Sequence, residues 1–259
     1  MKIKITPQCS KAITRIMFIM VALFSGIISF ILSGPAVSES QELKGMNQPA
    51  VMALAMKESL EITKKEISPL RRQVYLEYQR KMKNGQVLLD RLSQYQHIIE
   101  AAASYYNLDA DLVTGLIAYE SGGRNSAVSD AQARGLMQIY VVPRGCVLKI
   151  KKLFQVKRLD YHNPAHNIFV GTATLAQYMK NAPDPLLGLV AYNAGPSAVK
   201  GKSYFEFSQR RISKDIKRFP FIVSAYALMA KVQKKTGQIL PLNQENQAWF
   251  DGIELLGVN

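Results

Sequence analysis

LVTGLIAYESGGRNSAVSDAQARGLMQ, residues Leu112 to Gln138, opens as a buried helix and closes as a polar loop. Leu112, Val113, Leu116 and Ile117 recur at the spacing of one buried helical face, and Glu120 is the next residue on that face. Asp109 is placed to cap this helix and Gly122-Gly123 to stop it, so the carboxylate falls in the last turn, pointing inward where the chain opens. Burial disfavours a charged carboxyl and the negative end of the helix dipole pushes the same way, so a raised pKa is expected. Such a group keeps a proton to donate. On the residues alone, the alternative is a structural Glu120 paired with Arg124 or Arg134.

The segment after Glu120, Ser121 to Ala133, has the Gly-, Ser-, Asn- and Asp-rich composition of a surface loop. Gly135 then permits a close backbone approach, and Gln138 brings an amide that both donates and accepts, as sugar hydroxyl and acetamido groups require. Taken singly, Met137 reads equally as a core filler and Gln138 as a surface amide. Upstream, a turn at Asn84-Gly85 precedes a helical pattern over Val87 to Tyr106, and before it Leu60 to Lys83 reads as an amphipathic helical pair interrupted at Pro69. Downstream, Asn163-Pro164 starts a helix carrying Ile168, Gly171, Leu175 and Met179 on one side. Pro183 and Pro185 break it, and a short apolar helix ends at Tyr192-Asn193 beside a tight turn. Phe219 to Val232 closes the core.

The chain has 259 residues, 48% of them hydrophobic, enough to bury a core. Lys2, Lys4, Lys11 and Arg15 precede an uncharged run from Ile16 to Leu32. The run exceeds a signal-peptide core of about 7 to 15 residues and falls short of the ~20 that span a bilayer comfortably. It reads as a signal peptide cleaved near Ala36-Val37-Ser38 or as an uncleaved anchor, and both place the body outside the cytoplasm. Cys9 and Cys146 then lie on opposite sides of a membrane, so no internal disulfide is expected. The formal charge is +14, and the four amino-terminal bases account for four of it. Attraction to a polyanion of the envelope follows, whereas no nucleic-acid recognition motif is present.

Arg144 to Arg158 contains Arg144, Lys149, Lys151, Lys152, Lys157 and Arg158 without an acid, and reads as an anion-facing rim of a cleft or as a solvated helix face. His162 and His166 stand four apart around Pro164 with His97 as the third histidine of the chain, which does not make a zinc set. No metal or cofactor is expected.

Three fragments in fixed order, Glu120-Ser121-Gly122, Gly135-Leu136-Met137-Gln138 and Ala191-Tyr192-Asn193-Ala194-Gly195, resemble the catalytic domain of the soluble-type lytic transglycosylases (SLT). Asn163-Pro164, Asn167-Ile168 and Gly171 resemble a further segment of that family. The resemblance implies a mainly α, lysozyme-like domain that cleaves the MurNAc-GlcNAc bond of peptidoglycan. It makes Glu120 the catalytic acid/base and Ser121, Met137, Gln138, Tyr192 and Asn193 substrate-binding or orienting residues. The chain departs from the family at Tyr140, where Met is usual, at Asn163, where Asp is usual, and at Arg218, which falls at a tyrosine.

The expected organisation is a signal peptide or anchor at 1–38, a helical linker or accessory region at 39–94, a catalytic domain at 95–232 and a tail at 233–259. The expected partners are peptidoglycan glycan strands, the membrane through the amino-terminal segment, and an envelope or secretion machine. The expected location is the periplasmic face of the inner membrane. A single acid suffices if the substrate supplies the second group, giving a 1,6-anhydro product. The alternatives are a lysozyme-type hydrolase in which Asp130 or another loop acid positions water, and a non-catalytic wall-binding assembly protein.

Overall fold

The computed structural model describes residues 68–199 and 201–256; the hydrophobic run Ile16 to Leu32, Cys9 and the stretch before Ser68 lie outside them. The described chain is helical, with α1 at Pro69–Ser93, α2 at Gln96–Tyr106, α3 at Ala110–Glu120, α4 at Arg144–Leu153 and α5 at Pro164–Asn181. There follow α6 at Pro185–Ala194, α7 at Tyr204–Ser208, α8 at Lys214–Thr236 and α9 at Gln247–Asp251. Among the described residues no helix is long and apolar enough to cross a membrane.

The centre of the fold is α3, buried at every position from Leu112 to Ala118. Its start is fixed by Asp109, whose carboxylate accepts from the Asp111 N–H at 2.8 Å. Helix α8 crosses directly over it at Gly115. A Cβ there would lie 2.4 Å from the Val223 carbonyl oxygen and 2.7 Å from the Ala227 nitrogen, backbone atoms with no side-chain freedom to yield. Gly115→Ala is therefore expected to destabilise the fold by about 1–3 kcal/mol through overpacking, read as a lower thermal midpoint. An unchanged midpoint would show that the two backbones part freely.

Three sequence expectations change here. Pro69 does not interrupt a helix but starts one, at the first-turn position where its missing N–H costs nothing, with the Ser68 side chain accepting from the Arg71 N–H at 3.2 Å. Asn84-Gly85 is not a turn, because α1 runs through it to Ser93. Gly85 is small because Met229 of α8 lies on it, the sulfur 2.6 Å from where a Cβ would be. Helix α8 also begins earlier than the apolar run, at Lys214, where Ser213 caps it by accepting from the Asp215 N–H at 3.2 Å.

The segment after α8 is packed rather than trailing. Phe250 is fully buried, edge-on to Tyr78 with ring centroids 5.4 Å apart. Arg71, buried in α1, donates to the carbonyls of Phe250 and Ile253, and the Tyr78 hydroxyl donates to the Leu240 carbonyl at 2.7 Å. Arg218 of α8 grips buried Glu77 of α1 with two hydrogen bonds, at 2.9 and 3.0 Å.

Candidate active site

Glu120 ends α3, and the chain leaves at once through Gly122 and Gly123, both with positive φ (59° and 74°). These two residues turn the backbone under α1, where Arg91 donates to the Gly122 carbonyl at 2.6 Å. The carboxyl of Glu120 opens onto a cleft of about 500 Å³ lined also by Gln138, Tyr140, Tyr178, Tyr192 and Asn193. Although partly exposed, it is surrounded by enough protein that burial pushes its pKa up to about 8. No base among the described residues forms an ion pair with it, Arg124 and Arg134 included. The paired structural Glu120 is thus set aside, and burial favours the protonated carboxyl at pH 7.

The wall facing it is built by Asn167, in the first turn of buried α5. Its side-chain nitrogen donates to the carbonyls of Arg134 and Tyr161, both at 2.8 Å, and its oxygen accepts from the Met137 N–H at 2.8 Å. The Gly135 backbone, at φ 75°, lies so close that a Cβ would stand 2.3 Å from the Asn167 amide nitrogen. The turn is closed by Arg134 and Ile139, which exchange backbone hydrogen bonds at 3.0 and 2.8 Å. From the far side the Tyr192 hydroxyl donates to the Met137 carbonyl at 2.8 Å. Burial, and then the proximity of Glu120, raises the Tyr192 pKa well above the ordinary 10, so the phenol stays a donor.

The sequence-predicted residues thus divide. Glu120, Gln138, Tyr192 and Asn193 line one cleft, Asn193 exposed at its edge. Gln138 holds a left-handed backbone (φ 46°), and its amide nitrogen donates to the carbonyls of Ala127 at 3.2 Å and Gly135 at 3.0 Å, so its two donor hydrogens are spent inside the turn. The side chains of Ser121, expected to position the acid or the substrate, and of Met137, expected to line the sugar cleft, are not among the cleft's lining residues. Ser121 is 1% exposed, its hydroxyl shared between the Ile117 carbonyl and the Gly123 N–H, so it holds the end of α3. Met137 is fully buried against Gly171, so only its backbone serves the site, as the link between Asn167 and Tyr192.

Other residues were missed from sequence. Thr174 and Tyr178, one turn apart on α5, line the wall opposite the loop. Two polar residues four apart, and so on one helical face, were the available signal. Tyr140 and Val141, 65% and 74% exposed, give the cleft an apolar lip. The cleft runs on into an adjoining groove of about 540 Å³ that shares Val141, Val142, Tyr178, Ala191 and Pro196. None of the six bases from Arg144 to Arg158 lines the cleft, so that stretch is not its rim. Asn163 does the capping an Asp would do, accepting from the Ala165 and His166 N–H groups at 3.0 and 3.2 Å. His166 accepts from the Asp160 N–H at 3.2 Å and packs edge-on to Phe154, and no trio of His, Cys, Asp or Glu among the described residues is grouped to hold a metal ion.

Residues 97–213 match the family model described as Transglycosylase SLT domain. The chain is 33% identical over 119 residues to the membrane-bound lytic murein transglycosylase C of Haemophilus ducreyi, covering 42% of this chain and 32% of that protein. It is 33% identical over 102 residues to the endo-type membrane-bound lytic murein transglycosylase A of Salmonella paratyphi B, covering 39% of this chain and 50% of that protein. It therefore spans half or less of the length of these curated relatives. Among solved structures, the 70 kDa soluble lytic transglycosylase of Escherichia coli aligns at a TM-score of 0.46 and 21% identity, over 66% of this chain and 29% of that one.

Proposed function

We propose that this chain is a peptidoglycan lytic transglycosylase with Glu120 as its acid and base. The observation that carries the reading is that Glu120 is the one acidic residue lining the cleft among the described residues, and it is held neutral. Two-carboxylate glycosidases need a second acid about 5 to 9.5 Å away. Asp130, the loop acid for a hydrolytic alternative, is exposed and outside the cleft lining.

In the proposed cycle Glu120 gives its proton to the glycosidic oxygen while the MurNAc acetamido group supports the cationic carbon. The carboxylate so formed takes the proton of the MurNAc C6 hydroxyl, whose oxygen closes on C1. Glu120 recovers its proton, no water is consumed and the product is a 1,6-anhydro sugar. The Gln138 amide oxygen, whose nitrogen is engaged in the turn, and Asn193 offer polar contacts to the saccharide, and Tyr192 positions the Met137–Gln138 backbone opposite the acid.

The same reading puts the domain in the cell envelope, in keeping with the names of its membrane-bound relatives. Ile16 to Leu32 anchors it or is removed after export, and the segment ahead of α1 is where an envelope machine would recruit it. Mass spectrometry of digested wall tests the chemistry. Anhydro-ended muropeptides, each lighter by one water than its hydrolytic counterpart, are expected. Reducing MurNAc ends would instead assign a hydrolase, and wall binding with nothing released would assign a non-catalytic role.

A further inference from the structure

A second concavity, of about 570 Å³, lies beside the loop that carries Gln138 and shares no lining residue with the Glu120 cleft. Arg134, Lys151 and Arg158 converge on it with Tyr161, His162 and Asp160, over an apolar floor of Val147 and Leu159. Arg134 comes from the loop, Lys151 from α4, and Arg158 from the connection to α5, so three separate stretches of chain bring their charge to one place.

None of these three bases forms an ion pair among the described residues. Asp160 is the one lining acid, and one of its oxygens accepts from the His162 N–H at 2.9 Å. The lining therefore carries a net charge of +2 from these four groups. Like charges gathered in a concavity with a low-dielectric floor repel one another more than they would on an open face, and a bound anion relieves that repulsion. The Tyr161 phenol, its pKa raised by burial, adds a neutral donor. Two guanidinium forks, an ammonium and a phenol match the oxygen geometry of phosphate and carboxylate.

We propose that this pocket binds a compact oxyanion carrying two negative charges, a phosphate or paired-carboxylate group of an envelope ligand. The site stands apart from whatever Glu120 does. Occupancy bears on the cleft through Arg134, because its backbone exchanges hydrogen bonds with Ile139 and accepts from Asn167, so holding its side chain steadies the turn that presents Gln138.

The test is calorimetric titration of the full chain at low salt with inorganic phosphate in one arm and malonate in the other. Saturable one-to-one binding is expected, weakened about 10-fold by each of Arg134→Gln and Arg158→Gln, the loss of one charge-assisted contact. Both side chains are exposed, so the variants should melt as wild type does. The charge-matched pair Lys152→Gln and Lys157→Gln, on the same stretch but outside the pocket, should change affinity less than about twofold. The tighter arm names the chemistry as phosphate or carboxylate. Absence of saturation in both arms, or an equal loss in the charge-matched pair, would overturn the site and leave a solvated basic face.

Discussion

Glu120→Gln is expected to lower wall cleavage by about 10²- to 10⁴-fold while leaving the fold intact, the span attributed to a positioned general acid. The amide keeps the shape of the neutral carboxyl but has no proton to give the leaving oxygen. Wild-type activity should fall as pH rises through about 8, where burial places the ionisation of this group, and turbidity clearance of a wall suspension across pH 6 to 10 reads it. Stability should fall too, but at lower pH than activity. The folded pKa lies above the ordinary 4.5, so between 4.5 and about 8 the folded chain keeps a proton that the unfolded chain has released. Stability from this group is full below that window, declines through it and levels off above it. The Gln variant lacks the decline and should exceed wild type by about 1–3 kcal/mol at pH 9. Full turnover in the variant, or a flat wild-type profile, would end the assignment of Glu120.

Asn167→Ala is the second large effect. It removes three hydrogen bonds of 2.8 Å from a fully buried side chain, leaving the Met137 N–H and Tyr161 carbonyl without those partners and the Arg134 carbonyl with only Ile139. At about 1–3 kcal/mol for each buried group left unsatisfied, a loss of about 3–5 kcal/mol is expected, read from chemical denaturation. The cleft should suffer as well, because the turn bearing Gln138 is then held to α5 through Met137, by its packing on Gly171 and the weak bond from Thr172 to its sulfur. Turnover should drop about 10-fold or more even at temperatures where the variant is folded, as a misplaced group costs rate. Wild-type melting would show that the turn carries its own stability.

What could be read from sequence was what is encoded locally. Asp109, Asn163 and the apolar spacing from Leu112 to Ile117 set helix starts and faces through contacts within a few residues, so α3, α5 and the place of Glu120 were legible. Pro69 and Gly85 were misread because their meaning is not local: one is permitted by its place in a first turn, and the other is explained only by Met229 arriving from far along the chain. Ser121 and Met137 show a different limit. Each sits beside a cleft residue in sequence, yet adjacent side chains point apart, and the motif alone does not say which one faces the groove. Thr174 and Tyr178 lie on a helix with polar residues scattered along it, and nothing local marks these two as the pair that faces the cleft.

The stitching of Arg71 to the Phe250 and Ile253 carbonyls, with Glu77 gripped by Arg218 two turns on, has a mechanical sense. A pull applied to α1 at Ser68 would meet these contacts within its first three turns and divide between the carboxy-terminal segment and α8. The load is divided there before it reaches Arg91, whose bond to the Gly122 carbonyl joins α1 to the end of α3.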